Sequence, residues 1–347
     1  MNLEEIAKLS NVSRSTVSRV VNNDPNVKEQ TRVRVLKVIR QANYRPNAAA
    51  RSLAAGHSHI LGLVIPTGVS ALFTDPYFPI LIQGISSACN VHDHSVMLWL
   101  AEPEYERHMI GQITGSGLVD GVIIASALLD DPLNKAIFQS DIPAIMVGRH
   151  PIYQDVSYVD VDNRRGSQDI VTHLIRLGYR RISTITGPPN LIAGAERYAG
   201  YLAAMKERGL TPAPEWVVEG DFTEAGGYDG MQRLLPHRPE AVFAASDIMA
   251  LGSLRAAHDA GLRVPDDVAV VGFDDMPFAA RSDPPLTTVR QPIHRTGMLV
   301  AETLIDMVAH PESGPRRIVL PTELVIRSTC GANRNSDRRL PPNSGAT

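Results

Sequence analysis

The sequence predicts an α/β protein: a small helix-turn-helix, three-helix head, then a two-lobed core built on parallel sheets. Three observations predict it. Residues 3–42 repeat apolar side chains with helical spacing and carry no strand pattern. From residue 60 onward, short apolar runs alternate with amphipathic helical stretches, the rhythm of parallel strands with helices on both faces. That alternating region runs to about residue 330, too long for one lobe of ordinary size.

The head divides into three helices. Asn2 is placed to cap the first, with Glu5 three residues on to complete a capping box, and Leu3, Ile6, Ala7 and Leu9 form its apolar side. Ser10-Asn11-Val12 makes a tight turn, after which Ser13 can cap a second helix with Val17, Val20 and Val21 inside. Asp24-Pro25 marks a loop. A third helix is predicted from Glu29 to Ala42, with Val33, Leu36 and Ile39 facing inward. Its cap position holds Lys28, and a missing side-chain cap costs on the order of 1 kcal/mol.

Two helices joined by so short a turn make a helix-turn-helix, whose second helix is the one that enters a DNA major groove. Here that helix offers Ser13, Arg14, Ser15, Thr16, Ser18 and Arg19 outward, with Asn22 just beyond, and no acidic residue lies between Asn11 and Asn23. Hydroxyls and guanidiniums reach phosphates and base edges, whereas a carboxylate would repel phosphate. Charge agrees: residues 1–59 hold ten Lys and Arg against four Asp and Glu, while the rest holds twenty-four against thirty-three. A basic head on an acidic body expects a polyanion at the head alone. The competing reading is a three-helix bundle with an ordinary polar face.

The run Ile6-Ala7-Lys8-Leu9-Ser10-Asn11-Val12-Ser13-Arg14-Ser15-Thr16-Val17-Ser18-Arg19-Val20-Val21-Asn22-Asn23 resembles the signature of the LacI/GalR (lactose-repressor) family. Tyr44-Arg45-Pro46-Asn47-Ala48-Ala49-Ala50-Arg51-Ser52-Leu53 is similar to that family's hinge segment. The resemblance implies a bacterial transcription regulator, in which the hinge becomes a helix when two subunits meet over an operator and Leu53 wedges into the minor groove. It adds Tyr44, Asn47 and Leu53 to the DNA contacts. A nine-residue helix is too short to be stable alone in water, and an apolar wedge can kink DNA where extra contacts offset unstacking. The plain alternative is that Leu53 packs in the core.

In the body, strands are predicted at Ile60-Val64, Val96-Leu100, Gly121-Ala125, Ala144-Val147, Ile182-Thr186, Ala241-Ala245 and Val268-Phe273. Helices fall at Ile80-Asn90, Gly166-Leu177, Glu196-Arg208 and Ile248-Ala260. Two lobes joined near Tyr158-Asn163 and Thr287-Pro292 account for the length. Further stretches, among them Val161-Asp162-Asn163, Glu196-Arg197, Ser246-Asp247, Val270-Val271-Gly272-Phe273-Asp274-Asp275 and Leu320-Pro321-Thr322-Glu323-Leu324, resemble landmarks of the same family. They imply a periplasmic-binding-protein-like core with a small-molecule effector between its lobes.

Ligands of open α/β sheets sit at the carboxyl ends of the strands. Asp274 directly follows an apolar strand, and an ionised carboxylate there can accept from adjacent sugar hydroxyls. The alternative role is capping the next turn. By resemblance, Tyr77, Phe78 and Tyr201 set aromatic rings against an effector, with Phe73 a weaker candidate. Core packing is the competing reading for each. Ser246 stands where relatives often carry an amide, and Arg149 and Arg197 either orient the ligand or form structural ion pairs.

Other classes lack their motifs. Neither a Walker loop, a dinucleotide fingerprint nor a serine nucleophile elbow is present, so no enzyme and no cofactor is expected. His92-Asp93-His94 lacks the partners a metal site needs. Two cysteines, Cys89 and Cys330, among 347 residues make no disulfide framework and fit a reducing cytoplasm. The N-terminus shows no signal peptide and no apolar run could span a bilayer. The expected organisation is a head over 1–46, a hinge over 47–58, a core over 59–330 and a disordered tail over 331–347. The expected partners are a palindromic operator, a carbohydrate or its phosphate, with a nucleobase or nucleoside as the alternative effector, and a second subunit. Without leucine heptads in the tail, a dimer is expected rather than a tail-zippered tetramer. A stand-alone sugar-binding module is the rival, but it leaves the basic head unexplained.

Overall fold

A computed structural model describes residues 2–21, 24–44, 57–65, 69–100, 106–125, 129, 131–153 and 155–332. The predicted contacts Asn22, Asn47 and Leu53, nearly all of the hinge, and the tail beyond 332 lie outside these residues. The chain divides into two compact units, residues 1–59 and 60–347.

In the first unit, α1 (Leu3–Ser10), α2 (Arg14–Val21) and α3 (Glu29–Gln41) pack around Ile6, Ala7, Val17, Val20 and Val35. The capping box at α1 is complete: Asn2 Oδ1 accepts from the backbones of Glu4 and Glu5, and Glu5 returns a bond to the Asn2 N–H. Asn11 ends α1 in the left-handed region at φ 51°, a conformation asparagine tolerates. Ser13 Oγ accepts from the Thr16 backbone at 3.2 Å and so starts α2. Lys28 gives α3 no side-chain cap. Two inward assignments need correction. Val33 is 56% exposed and Leu9 59% exposed, and Val35, not Val33, enters the core. The apolar residues of α3 are dense enough to allow two facings, and packing against α1 selects one.

The second unit holds two parallel sheets. The larger contains β1 (Ile60–Ile65), β2 (Ser95–Leu100), β3 (Gly121–Ala125), β4 (Ala144–Val147), β5 (Ser157–Val161) and β11 (Arg317–Leu320), in the order β11-β5-β4-β3-β1-β2. The smaller contains β6 (Ile182–Thr186), β7 (Val217–Glu219), β8 (Ala241–Ala244) and β9 (Ala269–Val271), in the order β7-β6-β8-β9. Side chains alternate between two cores on each sheet. Leu61, Leu63, Ile123 and Ile145 face one way, whereas Val64, Val122, Ile124 and Met146 face the other. Burial on both faces explains why these strands read as continuous apolar runs.

Helices cover the sheets: α4 (Val69–Thr74), α5 (Tyr77–Val91), α6 (Glu106–Gly115), α7 (Pro132–Phe138) and α12 (Ile293–Ala309) on the first, and α8 (Asn163–Arg176), α9 (Ile192–Glu207), α10 (Glu224–Leu234) and α11 (Asp247–Asp259) on the second. The chain crosses between lobes three times. It leaves by β5 into α8 and returns from β10 (Thr288–Arg290) into α12. It then leaves again from β11 into β12 (Glu323–Val325), which pairs antiparallel with β10. Among the described residues no helix is long and apolar enough to cross a membrane.

Candidate functional site

The head presents its second helix as a surface of short polar groups. Ser13, Arg14, Ser15 and Arg19 are exposed, and Thr16 and Ser18 half-buried. The Ser13 hydroxyl lies 2.8 Å from both Ser15 Oγ and Thr16 Oγ1. Arg14 and Arg19 sit 3.7 and 3.9 Å from Glu4 and Asp24, respectively. Pairs so exposed hold their partners weakly, leaving the guanidiniums available to phosphate. Tyr44 instead packs against the head's core.

In the body, the carboxyl ends of both sheets converge on one cleft. Its volume, counted out to the open mouth, is about 820 Å³. From the first lobe come Asp75, Tyr77 and Phe78 at the start of α5, Val147 and Gly148 at the end of β4, and Asp160 at the end of β5. From the second come Ile192 and Arg197 on α9, Phe222 after β7, Ser246 after β8 and Asp274 after β9. Asn163 and Gln291 lie at the crossings themselves.

Arg197 organises this wall. It is 5% exposed, and its guanidinium carbon stands 3.8 Å from the centroid of the Phe273 ring. Nε donates to Asn163 Oδ1 at 2.9 Å, and Nη1 donates to the Ala245 carbonyl at 2.6 Å and pairs with Asp274 Oδ1 at 3.1 Å. Gln291 Nε2 donates to the same Asp274 oxygen at 2.6 Å. Burial pushes the Asp274 carboxyl above its ordinary range, and Arg197 opposes that push. Asp274 also has a φ of 124°, unusual for a non-glycine residue and of a kind that collects at ligand sites.

Asp160 forms a second polar cluster. Its Oδ1 accepts from the Val161 backbone at 2.7 Å, and its Oδ2 lies 2.8 Å from Arg149 Nε. Arg149 also meets Glu196 at 3.2 Å, tying the segment after β4 of one lobe to α9 of the other. Burial and the nearby Glu196 push Asp160 up to about 6, with Arg149 pulling the other way. Tyr77 and Phe78 meet edge to face, ring centroids 5.5 Å apart, and Asp75 Oδ1 accepts from the Tyr77 backbone at 2.9 Å.

The structure therefore brings Tyr77, Phe78, Arg197, Ser246 and Asp274 together on the cleft. Three other candidates fall elsewhere. Tyr201 is fully buried one turn along α9, with its hydroxyl donating to the Ile182 carbonyl at 2.7 Å, so it is a core residue. Phe73 is 78% exposed and off the cleft. Arg149 lines the neighbouring hollow, separated from the cleft by its own pairing with Asp160. Ser246 spends its hydroxyl in part on α11, accepting from the Met249 backbone at 3.4 Å. Sequence reasoning missed Asp75, Asp160, Asn163, Phe222 and Gln291 as wall residues. Their neighbours gave signals, since Asp75 precedes Tyr77-Phe78 and Asn163 closes Val161-Asp162-Asn163. Phe222 had none, because it follows a strand of only three residues.

The head and the cleft both have counterparts among known proteins. Residues 2–47 match the bacterial regulatory proteins of the lacI family, and residues 171–330 match the periplasmic binding protein-like domain. The HTH-type transcriptional regulator CelR of Thermobifida fusca is 37% identical over 332 residues, 94% of this chain and 97% of that protein. The chain belongs to the LacI family. The ribose operon repressor of Escherichia coli K12 is 34% identical over 94% of this chain and 99% of its own length. Among solved structures, the CelR–cellobiose complex superposes with a TM-score of 0.76 at 35% identity, covering 95% of this chain and 99% of that one. The Lac repressor dimer bound to operator and an anti-inducer gives 0.85 at 27% identity, covering 95% and 99%. This LacI-family chain is a DNA-binding transcription regulator, not an enzyme.

Proposed function

We propose that this regulator binds an approximately palindromic operator as a homodimer in the cytoplasm, and that a carbohydrate in the interlobe cleft controls its affinity for that operator. The head is residues 1–46, read by Ser13, Arg14, Ser15, Thr16, Ser18, Arg19 and Asn22. A hinge over 47–58, with Asn47 and Leu53 at the DNA, joins it to the effector core over 59–330, and 331–347 is a tail. Two subunits give two recognition helices, hence a two-fold operator.

The observation that carries the effector reading is Asp274 held at the carboxyl end of β9. Among the described residues, Arg197 and Gln291 both bond its Oδ1, which leaves Oδ2 for a ligand hydroxyl. With Tyr77, Phe78 and Phe222 on the same walls, the cleft offers an acceptor and apolar ring edges together, the combination a sugar needs. The cellobiose complex of CelR supports the same ligand class. The cleft is built from both lobes, so its occupancy favours one lobe arrangement over another, and hinge pairing couples that choice to DNA. The expected sign is repression relieved by an inducer. The test is calorimetric titration of the full chain with carbohydrates, beginning with cellobiose, followed by the same sugar added to the DNA complex. Binding with release of DNA is the expected result, and binding that leaves DNA affinity unchanged would refute the coupling.

A further inference from the structure

The cleft holds more negative charge than a general sugar site requires. Asp75, Asp160 and Asp274 all line it, and Arg197 is the one cation on its described walls. Counting the pair behind Asp160 does not change the balance, since Arg149 is matched by Glu196. Four carboxylates against two guanidiniums leave two net negative charges around one buried volume. Arg197 is already committed at two of its three nitrogens. Its Nε and Nη1 already serve Asn163, Ala245 and Asp274, and one face lies on the Phe273 ring. The remaining polar wall is neutral, made of Asn163, Ser246, Gln291 and Thr296.

We propose that this cleft selects an uncharged carbohydrate and rejects carbohydrates bearing a carboxylate or a phosphate. The inference rests on reading the cleft as the carbohydrate effector site. Its physical basis is discrimination by repulsion: like charges within a few ångströms in a low-dielectric site disfavour the wrong ligand more than any added contact favours the right one. Burial raises the carboxyls of Asp75, Asp160 and Asp274, as desolvation does to any buried carboxylate. An incoming anion would add to that load. A neutral polyol adds none, and its hydroxyls donate to the carboxylate oxygens.

The test is calorimetric titration of the full chain with a panel of neutral sugars, each beside its own uronic acid and its 6-phosphate: glucose, galactose, glucuronate, galacturonate, glucose 6-phosphate and galactose 6-phosphate, together with cellobiose and cellobionate. Any neutral sugar that binds is expected to do so at least about tenfold more tightly than its anionic counterparts. The gap should narrow in Asp75→Asn, which removes one charge while keeping an oxygen for the Tyr77 backbone bond. An anion that matches or exceeds its neutral parent would overturn the charge selection and leave the effector-cleft reading standing. An unchanged gap in Asp75→Asn would contradict charge as the cause. No binding by any sugar would overturn the effector-cleft reading itself, and this inference with it.

Discussion

At the scale of single residues, the cleft depends on ionisable groups that are costly to bury and are kept because each has a partner. Asp274 and Arg197 illustrate the dependence. Both are nearly inaccessible, and removing one member of such a pair leaves the other charge uncompensated. Asp274→Asn keeps an oxygen for Gln291 and Arg197 but loses the charge. It is expected to weaken sugar binding on the order of 100-fold, the value of about two charge-assisted hydrogen bonds, while leaving affinity for operator fragments unchanged. Calorimetry and fluorescence anisotropy measure the two. Asp160 carries a pH prediction. Its carboxyl is raised to about 6 in the fold from an ordinary value near 4, so the folded state binds the proton more tightly than the unfolded chain does. Its contribution is therefore favourable below about pH 4 and is lost as pH rises through about 6. Asp160→Asn should remove a loss on the order of 3 kcal/mol over that window. Denaturant melts at pH 4.5, 5.5 and 7 should show the wild-type chain losing stability relative to the variant; parallel curves would contradict the assignment. Asp274 was legible as a candidate from the sequence, because it ends an apolar strand. Tyr201 was not separable from a ring-stacking residue, because its place one turn along α9 turns the side chain into the sheet, where it meets the Ile182 carbonyl.

At the scale of elements, strands buried on both faces were readable wherever they were long and apolar. Ile60–Ile65, Gly121–Ala125 and Ile182–Thr186 are of that kind. Among the described residues, five strands escaped notice: Val217–Glu219, Thr288–Arg290 and Glu323–Val325 have only three residues, Arg317–Leu320 has an exposed side, and Ser157–Val161 carries the polar Ser157 and Asp160 at buried positions. Among the helices absent from the sequence reading, with α4, α6, α7 and α10, is α12. It follows a lobe crossing and packs on α5 in the first lobe, far back along the chain. That contact needs two glycines. A Cβ on Gly84 would come within 2.1 Å of the His294 carbonyl oxygen, and one on Gly297 within 2.3 Å of the Leu81 carbonyl oxygen. The two helix backbones therefore touch. Gly84→Ala would have to push them apart, at a cost of about 1–3 kcal/mol as in other overpacked cores, despite alanine's better helix propensity. Thermal denaturation of the full chain measures this, and an unchanged or higher midpoint would show that the helices separate freely. The Arg149–Glu196 pair acts at the same scale. It joins the segment after β4 to α9 across the lobes.

At the scale of the whole molecule, a head that carries basic residues outward and a body with an acidic cleft divide the work between one polyanion and one small neutral ligand. The charge split between residues 1–59 and the remainder was visible in the sequence. The convergence of Asp75, Asp160 and Asp274 was not, because these residues come from the start of α5, the end of β5 and the segment after β9, which only the fold brings together. The two units must be coupled for the chain to regulate, and the coupling free energy has to be measured between DNA and ligand, not at either alone. The most direct measurement selects fragments of genomic DNA on the purified full chain, with and without the neutral sugar that binds most tightly by calorimetry. The account predicts recovery of an approximately palindromic site in the absence of sugar, and its loss when the sugar is present. A palindrome recovered equally under both conditions would contradict the claim that the cleft controls the head.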